Sequence, residues 1–208
     1  MKKFVYILCF FGFVCHSLAL QAQDSAHVLE EIPFDYDSRS PIYDFSEKNL
    51  NATDTIPSFD IQENKLKISG TIFKSDGVTP AKDVILYISQ PNEDGEYDLK
   101  YENNKRYVNH RGWIKTDANG QYTFYTFIPG SYRNTHELRH IHPIIKESGK
   151  PEYTLHKLLF KDDPRLTKRC LKRMKKNGTT NNLLTTLKKD GIYETTYNIT
   201  LSGNESFK

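Results

Sequence analysis

The sequence predicts an all-β domain, an antiparallel β-sandwich, and three observations carry that expectation. Apolar residues alternate with polar ones over short runs, which is the period-2 signature of strands with one buried face. Turn-forming clusters of Gly, Asn, Asp and Pro separate those runs at short intervals. Tyrosine and phenylalanine are abundant, at 13 and 12 of 208 residues, and aromatic side chains suit pleated, half-buried surfaces.

From residue 64 the elements follow in order. Leu66, Ile68 and Ile72 alternate with polar neighbours before the turn signal Ser75-Asp76-Gly77. Val84 to Ile88 is a short apolar run fit for a buried strand. Asn92-Glu93-Asp94-Gly95 turns the chain and delivers Tyr97, and the polar stretch 98–111 reads as a long loop. Gly112-Trp113-Ile114 leads into Asp117-Ala118-Asn119-Gly120, a turn between two strands. Tyr122, Phe124 and Thr126 alternate until Pro129-Gly130 stops the strand. His140 to Ile145 reads as the next strand, Leu155 to Phe160 as another, and Tyr197, Ile199 and Leu201 as the last. Residues 164–189 break the β pattern. Leu166, Leu171 and Met174 share one helical stripe amid Arg165, Lys168, Arg169, Lys172, Arg173, Lys175 and Lys176, and Asn177-Gly178 ends it. This predicts a short C-terminal helical insertion before the last strand, with a solvated charged face or, as the alternative, a surface for an acidic partner.

The flanks set the cellular address. Lys2 and Lys3, the apolar run Phe4–Val14 and the small residues up to Ala22 are laid out as a cleaved signal peptide over residues 1–22. Export to the periplasm or medium is expected. Lipid attachment at Cys15 is disfavoured, because Phe13-Val14 lacks the small residue such a site prefers, and no other segment is apolar enough to span a bilayer. Residues 23–62 are acidic and irregular and read as an arm, leaving residues 63–203 as the sandwich domain. Without the leader the formal charge is 27 − 26 = +1, since 29 basic residues lose Lys2 and Lys3 and none of the 26 acidic residues lies in the leader. That balance argues against nucleic-acid binding. Cys9 and Cys15 leave with the leader, so Cys170 alone remains and no internal disulfide can form.

The residues with the strongest chemical content are His140 and His142. Two residues apart on a strand, they present both imidazoles to one face, half of a metal site. Tyr132 follows the Pro129-Gly130 turn just upstream, and Tyr97 completes a set of four. Phenolate ligands favour a hard, highly charged ion, so the ligand types argue for ferric iron over zinc or copper. Two phenolates and a hydroxide balance a trivalent charge. The competing reading of the spacing alone is a histidine pair bonded to neighbours on a polar strand face.

The stretch 68–163 resembles the intradiol ring-cleavage dioxygenases, the catechol and protocatechuate dioxygenase family. The resemblance is carried by Ile68-Ser69-Gly70-Thr71-Ile72, Asp76 to Ala81, Gln90 through Gly95-Glu96-Tyr97, Arg111-Gly112-Trp113, Thr116 to Phe124, Pro129-Gly130-Ser131-Tyr132, His140-Ile141-His142 and Phe160 to Pro164. It implies the family's β-sandwich with Fe(III) near loops at one edge. Tyr97 and His140 match the equatorial ligands, and Tyr132 and His142 the axial pair. A catechol would bind as a chelating dianion displacing Tyr132, with O2 as co-substrate and a muconate-type diacid as product. Gln90 and Trp113 are candidates to line the substrate pocket. For Trp113 core packing is the equal alternative.

One departure bears on catalysis. The resemblance places an arginine three residues before the first histidine of the pair, and here that position is Glu137. Arg139 and Arg133 are the candidates to take over its role in stabilising negative charge. A tryptophan common in the family is replaced by Ser89. The expected function is thus a non-haem ferric dioxygenase acting on a small aromatic diol, with a homodimer compatible with the sequence. The alternative is an exported β-sandwich binding module without catalysis, and a third reading is a partner-binding protein working through residues 165–176.

Overall fold

The computed structural model describes residues 35–45, 49–133 and 135–202. The leader expected at residues 1–22, Cys15 included, lies outside them. Residues 35–39 belong to a unit of their own, a turn in which the Ser38 hydroxyl donates to Asp35 and Arg39 stacks on Tyr36. The domain proper begins at Ser40.

Fourteen strands and one α-helix are described. The strands are β1 (Thr53–Thr55), β2 (Lys65–Phe73), β3 (Ile85–Ser89), β4 (Leu99–Glu102), β5 (Lys105–Val108), β6 (Arg111–Lys115), β7 (Gln121–Phe127), β8 (His140–Lys146), β9 (Tyr153–Thr154), β10 (Leu158–Phe160), β11 (Leu183–Leu184), β12 (Leu187–Lys189), β13 (Ile192–Thr196) and β14 (Ile199–Thr200). The helix, α1, spans Lys168–Lys176. One sheet has the order β1-β7-β2-β13-β12 with β14 also on β2, and the other β11-β10-β8-β3-β6 with β9 on β8. The central pairings β2–β7, β3–β6 and β3–β8 are antiparallel, while β1–β7, β2–β13 and β10–β11 are parallel. Leu66, Ile68, Tyr122, Phe124 and Phe127 from the first sheet meet Leu86, Ile88, Ile114, Ile141 and Phe160 from the second in one core. The all-β sandwich expected from the alternation is therefore the fold observed.

Three differences have physical causes. The stretch 98–111, expected as a loop, is mostly the hairpin β4–β5. Its turn residues Asn103 and Asn104 both take positive φ, 47° and 64°, the conformation that asparagine tolerates and tight hairpins require. The domain also reaches into the acidic arm. Ile42, Tyr43 and Ile56 are buried, and β1 adds to the edge of β7. One adjacent pair, Ile42-Tyr43, and a single Ile56 thirteen residues on carry no period, so composition alone reads this stretch as irregular. β13, finally, pairs along β2 although its burial does not alternate cleanly. The helical insertion is shorter than its basic stretch. Thr167 caps its first turn by accepting from the Cys170 N–H at 3.2 Å, and Gly178, at φ 69°, follows its end. No helix among the described residues is long and apolar enough to cross a membrane.

Candidate functional site

β8 supplies the histidines. Ile141 and Ile145 point into the core, so the alternation of the strand turns His140 and His142 to the opposite face. There His142 lies across from Ser89 of β3, and His140 across from Leu159 of β10. The two imidazoles stand 4.6 Å apart between centroids and nearly perpendicular, at 89°. His140 Nδ1 lies 2.7 Å from the Leu138 carbonyl, and a carbonyl only accepts, so Nδ1 carries the proton. Burial lowers the His140 pKa, which keeps the ring neutral at pH 7 and leaves the Nε2 lone pair for a partner.

That partner is Tyr97. Its hydroxyl donates to His140 Nε2 at 3.0 Å, and its ring lies 6.3 Å from that of His142. Tyr132 lies on the loop after β7, and 49% of it is exposed. Two glycines bring the tyrosine-bearing segments together. The Gly130 N–H donates to the Asn92 carbonyl at 2.9 Å. A Cβ on Gly130 would lie 2.0 Å from Glu93 O, and one on Gly95 would lie 2.3 Å from Ser131 C and Tyr132 N. The turn at 92–95 and the loop at 129–132 thus touch backbone to backbone, an approach that only glycine permits.

Burial keeps the donor nitrogens unprotonated. The pKa of His142 is pushed down to about 4, first by burial and then by its neighbours His140 and Lys157. Burial, with Glu137 and Tyr87, pushes Tyr97 up to about 12. At neutral pH the cluster therefore holds two neutral imidazoles and a protonated phenol, and a strong Lewis acid is needed to draw the proton off Tyr97. Among the described residues no three His, Cys, Asp or Glu side chains form a metal-binding group, so a metal here needs the tyrosines. The donors fit a hard trivalent ion: two imidazole nitrogens and the Tyr97 oxygen already converging on one of them, with a second, half-exposed phenol, Tyr132, on the adjoining loop. The Leu138 carbonyl orients His140 from behind, as metal-bound histidines are commonly oriented.

The other candidates fall elsewhere. Gln90 is fully buried in the core. Its amide donates to Phe127 O at 2.9 Å and accepts from the Thr126 hydroxyl at 2.6 Å, tying the two sheets together. Trp113 is buried as well. Its indole donates to Pro41 O at 3.1 Å and its ring packs 5.3 Å from Tyr87. Arg133 is exposed and pairs with Asp94 at 3.2 Å, while Arg139 is anchored by its backbone N–H to Asp163 Oδ2 at 2.7 Å. Among the described residues neither guanidinium contacts the ring cluster. Glu137 does reach it, with Oε1 3.7 Å from His140 Nε2. Lys157 binds Glu137 at 3.0 Å and holds its carboxyl below the usual range. Arg165 is a further residue that sequence reasoning passed over. Its Nη1 donates to the carbonyls of Tyr132 and Glu137, at 2.9 and 3.3 Å, and so spans the loop carrying Tyr132. His110 is buried against Phe127, outside the cluster, and its Nδ1 lacks a hydrogen-bond partner.

Comparison with known proteins bears on the same region. Residues 39–203 match a family model described as Dioxygenase. Among solved structures, the chain is similar to the dioxygenase domain of a dioxygenase–carbohydrate-binding protein fusion from the cellulolytic bacterium Streptomyces sp. SirexAA-E. That likeness has a TM-score of 0.60 at 23% identity and covers 82% of this chain and 96% of that one. It is also similar to 3-chlorocatechol 1,2-dioxygenase from Rhodococcus opacus 1CP (TM-score 0.54, 23% identity, 74% and 67% covered). An intradiol ring-cleavage dioxygenase from Tetranychus urticae gives a TM-score of 0.57 at 17% identity, with 77% and 91% covered. No curated protein sequence matches the chain.

Proposed function

Because this chain belongs to the intradiol ring-cleavage dioxygenase family, we propose that it is an Fe(III)-dependent enzyme cleaving a catechol-type aromatic with O2. The bond broken lies between the two hydroxylated carbons. The observation that carries this reading is the convergence of Tyr97 Oη on His140 Nε2 at 3.0 Å, with the His142 ring alongside. Tyr97, His140 and His142 meet at one sheet face, and the loop bearing Tyr132 touches the turn that precedes Tyr97.

His140 and His142 would hold the ion through imidazole nitrogens, and Tyr97 and Tyr132 through phenolate oxygens. When bound, ferric iron supplies a Lewis acid that binds both oxygens of the diol and withdraws charge from the ring. The residues divide the remaining work. Tyr97, whose hydroxyl already lies 3.0 Å from His140 Nε2, would give up its proton and serve as the fixed phenolate. Tyr132 sits half-exposed on a loop and would be the phenolate free to take up a proton from the incoming diol. His140 is held in one orientation by the Leu138 carbonyl. Lys157, paired with Glu137 at 3.0 Å, sets a cation at the edge where the family resemblance places an arginine. The leader-like sequence at residues 1–22 supports action outside the cytoplasm.

The test is the visible absorption and iron content of purified protein, before and after catechol, beside Tyr97→Phe. A broad tyrosinate-to-iron band that shifts with catechol and changes in the variant is the expected result, with ring cleavage following in air. Protein that stays colourless and metal-free after reconstitution with iron would overturn the reading in favour of a binding module.

A further inference from the structure

A cleft of about 330 Å³ opens against His142 on the outer face of the second sheet. Its floor is Tyr87 and Ser89 of β3 with Ile144 of β8, the residues in register with and following His142. Its far walls are Pro41 of the N-terminal strap and Tyr107 and Val108 of the β4–β5 hairpin. The walls are latched in place. Trp113 Nε1 donates to the Pro41 carbonyl at 3.1 Å. Asp44, the strap's only acid in contact with the cleft, pairs with Lys105 at 3.0 Å and Arg111 at 3.3 Å. Arg111 in turn stacks on Tyr107, 3.8 Å from its ring centroid. The cleft is therefore preformed, and within its lining the Asp44 carboxylate is matched by the Lys105 ammonium. A cavity of about 150 Å³ accommodates benzene, so this one has room for roughly twice the volume that a bare ring occupies.

We infer that this cleft receives the ring substituent of the substrate, and that the substrate class is a catechol with an extended, uncharged apolar or aromatic substituent. The inference rests on the dioxygenase reading for the diol end, which His142 marks. The substituent end stands on the lining alone: two tyrosine rings, Pro41, Val108 and Ile144 offer carbon surface, while Ser89 and Thr154 add two small hydroxyls. Arg106 is the one lining cation outside the Asp44 ion pairs, and it is exposed.

The test compares catechol, 4-propylcatechol and 3,4-dihydroxybenzoate on iron-loaded protein without O2. Binding is read from the fluorescence of Trp113, the single tryptophan of the chain, which packs against the cleft residue Tyr87. Burying three further carbons should tighten binding about 10- to 50-fold for 4-propylcatechol over catechol. Ile144→Phe, which fills the cleft, should lower that ratio at least tenfold. Val108→Phe, on the exposed hairpin, does the same where the β8 variant fails to fold. Equal affinities for the two neutral catechols, or a ratio unmoved in both variants, would overturn the inference. Tighter binding of 3,4-dihydroxybenzoate would also overturn it and assign the cleft to anionic substituents through Arg106. Admitting O2 then separates the two proposals: preference without ring cleavage removes the dioxygenase reading and keeps the cleft, whereas cleavage without preference does the reverse.

Discussion

Gly130→Ala isolates the contact that assembles the candidate site. The added Cβ would stand 2.0 Å from Glu93 O, 2.6 Å from Glu93 C and 2.7 Å from Gly95 N. All three are backbone atoms, so no side chain can rotate away. Contacts under 3.0 Å are essentially never seen, and relief requires the two segments to part by about 1 Å. Overpacking of this kind costs about 1–3 kcal/mol, and the 2.9 Å hydrogen bond from Gly130 to Asn92 O is stretched as well. For a domain of this size the expected fall in Tm is about 3–10 °C. The larger effect is local. One segment carries Tyr97 and the other Tyr132, and a displacement near 1 Å in a reacting geometry can cost about 100-fold in rate. Calorimetry with the tyrosinate–iron absorption measures both effects. Gly149→Asn is the control, because nothing lies within 4 Å of that position and asparagine tolerates its φ of +70°. A Gly130→Ala protein with wild-type Tm and an unchanged absorption band would refute the claim that this backbone contact sets the separation of the tyrosines.

Two further outcomes are expected. Arg165→Ala removes both carbonyl contacts that span residues 132–137. Amide hydrogen exchange over 131–139 should quicken about tenfold while exchange in β8 is unchanged, and Arg165→Lys should restore it only in part, because the shorter lysine places its nitrogen differently from Nη1. Equal exchange in all three proteins would show that the brace is idle. Burial lowers the His110 pKa from 6.5, so the unfolded chain binds this proton more readily than the folded one. Its contribution is present above pH 6.5 and is lost as pH falls below it. His110→Phe should flatten the fall in Tm between pH 7 and pH 5, and an unchanged slope would place the acid sensitivity elsewhere.

The sandwich was legible because its strands obey the simplest rule available. Tyr122, Phe124 and Thr126 alternate in sequence and are buried together in the structure, and Asp117 caps the preceding turn through Oδ1 to the N–H groups of Asn119 and Gln121. The hairpin β4–β5 escaped because all four residues of β4 are exposed, so no face of that strand is marked by hydrophobic residues. Its only local signal was Asn103-Asn104. Strap residues 40–44 escaped for the opposite reason. Ile42 and Tyr43 are core residues, but they sit in a single 3₁₀ turn, too short to display a period.

The candidate site divides in the same way. The spacing of His140 and His142 is local, and strand geometry alone puts both on one face. The place of Tyr97 is not local: it depends on Gly95 and Gly130, 35 residues apart in sequence, which read separately as ordinary turn glycines. The roles of Gln90 and Trp113 were open for the same reason, since a polar or aromatic side chain near a motif can face either the pocket or the core. For Gln90 the partners Phe127 O and Thr126 Oγ1 lie on the opposite sheet, and only packing reveals them. Glu137 is the sharpest case. In sequence it stands as an acid in place of a cation. In the structure it draws Lys157 to 3.0 Å, so the residue whose sign is reversed also recruits a positive charge from a different segment. Charge at a site is a property of the whole constellation, and reading one position of a motif underestimates how the rest of the chain can compensate for it.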